Sequence, residues 1–139
     1  MTVQTELMRK LDAAEEEMIA IRRHLHEHPE VSFQEKKTAA YIKAFYRDLD
    51  CTVTDFGESY GFAVDIDSGH PGKKLASRAD LDALAIQEDN DLPFKSQNPV
   101  VMHACGHDAH TAYMMVLARS LIELKEQPKG EHPDHSPAS

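Results

Sequence analysis

The stretch Met102–Thr111, MHACGHDAHT, gathers three histidines, a cysteine and an aspartate within ten residues. Cys105 is one of two cysteines in the chain, and Gly106 alone separates it from His107. A thiolate and an imidazole nitrogen are both ligands for zinc and similar borderline divalent metals. Donors two positions apart reach one ion if the backbone turns sharply between them, which a glycine permits. Asp108 would then stand at a helix start, where unpaired amides favour a carboxylate. His103 and His110 are candidates for further ligands, for groups that orient a ligand, or for substrate contacts. A lone loop histidine is commonplace, but this density with a cysteine points to metal binding. Zinc takes three or four ligands, so Cys105 and His107 need others from elsewhere in the fold.

A second candidate is Arg78–Leu84, RADLDAL. A strand running into two alternating aspartates brings carboxylates to its C-terminal end, where α/β proteins bind ligands. Asp80 or Asp82 would orient a metal ligand or bridge metals there; the competing reading makes them turn and cap residues. A third is His24–Glu30, HLHEHPE. Its histidines alternate, so they cannot share one helix face, and the segment reads as a polar helix end.

These residues need elements to hold them. From Val3 to His28, Leu7, Leu11, Ala14, Met18, Ile21 and Leu25 recur at spacings of three and four, which predicts one long amphipathic helix stopping near Pro29. Ser32 and Glu35 have capping-box spacing and predict a second helix with Thr38, Ala39, Ile42, Phe45 and Leu49 inward, ending near Asp50. The period then becomes two: Cys51–Phe56 and Gly61–Ile66 read as neighbouring strands, and Lys74–Ala79 as a third. A polar loop, Gln87 to Pro99, leads to the short apolar Val100–His103. A last helix runs from Asp108 through Tyr113, Val116, Leu117, Leu121 and Leu124. This order predicts an α/β domain with a central sheet flanked by helices.

The chain has 139 residues, 41% apolar and 28% charged, which suits one globular domain. A net charge of −9 disfavours nucleic acid and anionic membrane surfaces as partners. No apolar run approaches the ~18 residues of a membrane span. The polar, acidic N-terminus is unlike a secretory signal, so a cytoplasmic location is expected, with Cys51 and Cys105 unpaired. Glu126–Ser139 carries three prolines and no apolar residue but one alanine, and it reads as a disordered tail.

RRHLHEHPEVSFQEKKTAAYI, RADLDAL and MHACGHDAHTA, in this order and at these distances, resemble the N-terminal part of the M20 metallopeptidase family. The nearest branch is the amidohydrolases related to hippurate hydrolase, N-acetyldiaminopimelate deacetylase and auxin-conjugate hydrolases. The resemblance implies the N-terminal part of an M20-type zinc-peptidase catalytic domain, with a lid or dimerisation domain inserted later. It implies two divalent metal ions per complete site (Zn, Mn, Co or Ni), with Cys105 and His107 as ligands and Asp82 as the catalytic aspartate beside the metals. The implied reaction is hydrolysis of a small-molecule N-acyl amino acid, and a homodimer is implied only where the lid domain is present.

The family's general base belongs to a motif of the form I-H-Q-P-A-E-E, which this sequence does not contain. One choice of synonymous codons for Gly130–Ser139, reread with one G deleted, gives G-N-I-R-I-I-H-Q-P-A. The expectation is a partial metallohydrolase domain over residues 1–129 and a frameshifted or disordered tail over 130–139. Two further readings stand beside the hydrolase. One is a catalytically inactive remnant with residual metal binding, and the other is a thiol hydrolase with Cys105 as nucleophile and His103 or His107 as base.

Overall fold

The structure, a computed structural model, describes residues 2–125. The expected long first helix is two: α1, Val3–Ala13, and α2, Glu15–Glu27. Thr2 caps α1, its side chain accepting from the Thr5 amide. At Ala14 the backbone leaves the helix (φ −96°, ψ 7°), its amide still bonded back to the carbonyls of Lys10 and Leu11. Alanine is the best helix former, so propensity does not place the break. Two effects favour it: Glu15, Glu16 and Glu17 gain from lying at a helix N-terminus, and the bend lets both helices pack on the last helix.

The capping-box expectation also fails. The next helix, α3, spans Lys36–Tyr46, and Glu35 makes no side-chain cap. Glu30 does that work from further back, its carboxylate accepting from the amides of Lys37 (3.2 Å) and Thr38 (2.6 Å) and from the Thr38 hydroxyl (2.7 Å). α3 ends at Tyr46, short of Asp50, and a turn from Leu49 back to the Tyr46 carbonyl follows it. Thr38, Ala39 and Ile42 are buried as the spacing predicts, while Phe45 and Leu49 are partly buried against the core.

β1, Thr52–Asp55, and β2, Phe62–Asp65, pair antiparallel with Val53 opposite Val64. The third expected strand does not form. Lys74–Ala79 joins no ladder, and Leu75 is 93% exposed. Alternation qualifies a segment for a strand, but a ladder needs a neighbour, and among the described residues none pairs with it. The sheet is therefore a two-stranded hairpin, and the fold class holds in the coarser form of helices layered with a small sheet.

The last helix, α4, spans His107–Lys125 and is the hub of the core. Its Ala112, Met115 and Val116 meet Ile21 and Leu25 of α2 and Ile42 and Tyr46 of α3. Val53, Phe62 and Val64 of the hairpin cover the same cluster. Each large apolar side chain buried there contributes roughly 1.5–3 kcal/mol. Tyr113 and Leu121 of α4 face outward. The expected tail and the boundary at residues 129 and 130 lie outside the described residues.

Candidate metal centre

Two isolated bridges set the RADLDAL segment in place. Val31 pairs with Ala83 in parallel, with the Ala83 amide 2.8 Å from the Glu30 carbonyl. Leu84 and Met102 exchange both backbone hydrogen bonds at 2.9 Å. Met102 leads directly into the cluster, so this pairing brings Asp80 and Asp82 against the start of α4. Thr111 seals the contact by donating from its hydroxyl to the Asp80 carbonyl at 3.0 Å.

Gly106 adopts φ +90°, so the chain turns between Cys105 and His107 as their spacing anticipated. Cys105 is exposed, and both cysteines are free thiols. His107 is partly buried, its Nδ1 2.9 Å from the Asp82 carbonyl oxygen and 3.1 Å from the Asp82 carboxylate. Donation to those oxygens requires the proton on Nδ1, which leaves Nε2 with its lone pair free as a ligand. Nε2 lies 3.8 Å from the Asp80 carboxylate. Asp82 is steadied by the Ser32 hydroxyl (3.2 Å) and Asp80 by Arg78 (2.8 Å).

His103 is buried, and neither ring nitrogen has a hydrogen-bond partner among the described residues. Burial is the main reason its pKa lies below the ordinary 6.5, with Asp108 opposing and His26 reinforcing. His110 is exposed. A thiolate and an imidazole oriented through its second nitrogen form a donor set that suits a borderline divalent metal. They would supply two ligands, and among the described residues no group of three or more metal-binding side chains converges. No hydrogen bond among those residues joins Cys105 to His103 or His107, so the thiol hydrolase reading lacks its base contact.

The main feature that sequence reading missed is His26. The helix end His24–Glu27 is not uniformly polar: His26 is buried, while His24 stacks on Tyr41 and lies near His28. His26 Nδ1 is 2.8 Å from the Asp108 carboxylate and Nε2 is 2.9 Å from Glu88. Arg22, four residues earlier on α2, adds a 2.9 Å contact to Asp108. Burial alone would raise the Glu88 pKa, but the Ser96 amide, His26 and Asn90 outweigh it and pull the value down to about 2.

Helices layered with a small sheet, and a Cys-Gly-His turn heading the central helix, fit the N-terminal part of a metallohydrolase domain. The profile of Peptidase family M20/M25/M40 matches residues 76–133. The chain is 45% identical over 129 residues to YhaA of Bacillus subtilis (strain 168), a provisionally assigned amidohydrolase; the match covers 93% of this chain and 33% of that protein. It is 41% identical over 126 residues to the N-acyl-L-amino acid amidohydrolase of Geobacillus stearothermophilus, covering 91% and 34%. A provisionally assigned aminohydrolase structure from methicillin-resistant Staphylococcus aureus superposes with TM-score 0.85 at 56% identity, over 88% of this chain and 31% of that one. The YXEP protein of Bacillus subtilis, described as a dinuclear metal-binding M20 peptidase, gives TM-score 0.76 at 39% identity, over 83% and 33%. In sequence and in fold the chain is similar to the N-terminal part of M20 family members. It spans about a third of the length of the curated relatives it matches.

Proposed function

We propose that this chain is the N-terminal part of a metal-dependent amidohydrolase that cleaves the amide bond of N-acyl amino acids. In this reading Cys105 and His107 bind divalent metal, and Asp82 is the residue that orients His107. The observation that carries it is the grip of Asp82 on His107 Nδ1 at 2.9 and 3.1 Å, which leaves Nε2 available, 3.8 Å from the Asp80 carboxylate. Relatives named for amidohydrolysis and deacetylation support the reaction class. A bound divalent ion supplies Lewis acidity toward an amide carbonyl. Cys105 and His107 would hold that ion, with Asp82 orienting the imidazole, Ser32 donating to the Asp82 carboxylate and Thr111 tying the Asp80 backbone to α4. The description of one neighbour as dinuclear supports a pair of divalent ions, for which zinc, manganese, cobalt and nickel are the candidates.

The test follows amine release from N-acyl amino acids with and without a chelator. A metal hydrolase loses turnover to the chelator and regains it with zinc, manganese or cobalt. Turnover that survives chelation but is lost on thiol alkylation would overturn the reading. A second reading, metal binding without catalysis, draws on the two candidate donors and the lack of a converging third among the described residues. It predicts a bound ion and no amine release.

A further inference from the structure

Behind the Cys105–Gly106–His107 turn, four ionisable side chains from three parts of the chain close on one another. Arg22 and His26 come from α2, Glu88 from the loop before Val100, and Asp108 from the first turn of α4. His26, Glu88 and Asp108 are 2%, 1% and 1% exposed. Both His26 nitrogens face carboxylate oxygens, so both contacts are hydrogen bonds only if each nitrogen carries a proton. The set brings Arg22 and His26 against two buried carboxyl groups.

Asp108 is held on both oxygens. One takes Arg22 and His26, and the other accepts from the Ala109 amide at 2.9 Å. Glu88 is equally occupied, by the Ser96 amide (2.7 Å), Asn90 (3.1 Å) and His26. Phe94 closes the outside, lying under the guanidinium groups of Arg22 (5.2 Å) and Arg23 (4.7 Å) and edge-on to His26. A buried ion network of this kind is a weak source of stability, because desolvation offsets most of its attraction, and apolar packing would serve as well or better. What it does provide is direction. Asp108 adjoins His107, so fixing its carboxylate fixes the rotation of α4 about its axis where His107 leaves it.

We propose that the Arg22–His26–Glu88–Asp108 network positions the Cys105–His107 donor pair, so that metal affinity depends on residues that never touch the metal. The inference rests on the reading of Cys105 and His107 as ligands. A two-donor turn left free to reorient loses affinity through the ordering it must undergo on binding. The network removes that freedom before the ion arrives, and losses of such supporting contacts typically weaken metal binding ~10–100-fold.

The experiment titrates the full chain with cobalt(II) alone and follows the thiolate-to-cobalt charge-transfer band, which reports Cys105 as a ligand. His26→Gln and Glu88→Gln are compared with Met115→Ala, a core change away from the network, each at matched folded fraction by circular dichroism. The expected result is a loss of at least ~10-fold in cobalt affinity for His26→Gln and Glu88→Gln, and little change for Met115→Ala. The double variant His26→Gln/Glu88→Gln, which restores a neutral hydrogen-bonding pair, should recover part of the loss. A band that survives His26→Gln with affinity within about twofold of the parent overturns the inference alone. Equal losses in Met115→Ala and the network variants overturn it too, because general loosening would then explain both. No band in the parent removes the ligand reading, and the inference with it.

Discussion

His107 and Asp82 are joined twice: the imidazole Nδ1 lies 2.9 Å from the Asp82 carbonyl oxygen and 3.1 Å from its carboxylate. The two oxygens play unequal parts. The carbonyl belongs to the backbone, which the Val31 and Met102 bridges hold in place, and no side-chain change removes it. The carboxylate adds charge, which raises the basicity of the imidazole as a ligand. Asp82→Ala should therefore weaken cobalt(II) binding ~10-fold, and Asp82→Asn less, since the amide oxygen can still accept. If both substitutions leave cobalt affinity at the parent value, Asp82 does not orient His107.

Removing a donor is a harsher change than removing its support. Cys105→Ala should abolish the thiolate-to-cobalt band, and His107→Ala should lower affinity by more than any change at Asp82. His132→Ala, in the stretch 130–139 read from the sequence as a frameshifted or disordered tail, should do neither. Cobalt(II) titration followed by the same band checks all three. Loss of the band in His132→Ala equal to that in Cys105→Ala would mean that the tail supplies a ligand.

Glu88 gives a prediction in pH. Its carboxyl is pulled from the ordinary 4.5 to about 2, burial opposing and the Ser96 amide, His26 and Asn90 prevailing. Between those values the unfolded chain binds a proton that the folded chain refuses, so stability falls as pH falls across that window. The contribution is complete above about 4.5 and gone below about 2. His103, held below 6.5 chiefly by burial, works in the same direction at higher pH, because unfolding lets it take a proton. Urea unfolding should show Glu88→Gln less stable than the parent near neutrality, with the gap narrowing on acidification toward pH ~3. A gap that stays constant would show that Glu88 is not bound as its contacts require.

The parts of the fold that the sequence made legible are those whose evidence is local. The hairpin's alternation and the spacing along α4 each lie within one element, and Cys105-Gly106-His107 declares its turn through a glycine. The break at Ala14 is invisible because it answers to packing against α4, some hundred residues away. Lys74–Ala79 has the alternation of a strand, but a ladder depends on a neighbour that pattern alone does not supply. His26 was hidden among its neighbours: His24, His26 and His28 look alike in sequence, yet only His26 is carried inward. One faint signal was present, since Arg22 and His26 stand four apart beside the apolar stripe of Ile21 and Leu25. Their partners, Glu88 and Asp108, lie 62 and 82 residues from His26, beyond any pattern in the chain.

Gly106 separates a backbone effect from a packing effect. Its φ of +90° is a conformation that L side chains rarely adopt, and a Cβ built there would meet nothing within 4 Å. Gly106→Ala therefore costs conformational strain alone, on the order of 1–2 kcal/mol if the turn is kept. Gly57 makes the matched control, with φ +58° and an equally open Cβ position in the hairpin connection, far from the donors in sequence. Both substitutions should lower the urea midpoint by comparable amounts. Only Gly106→Ala should also weaken cobalt(II) binding, because relief of its strain moves Cys105 relative to His107. If Gly57→Ala weakens cobalt binding as much, loss of stability explains the effect, and the turn has no special part in presenting the two donors.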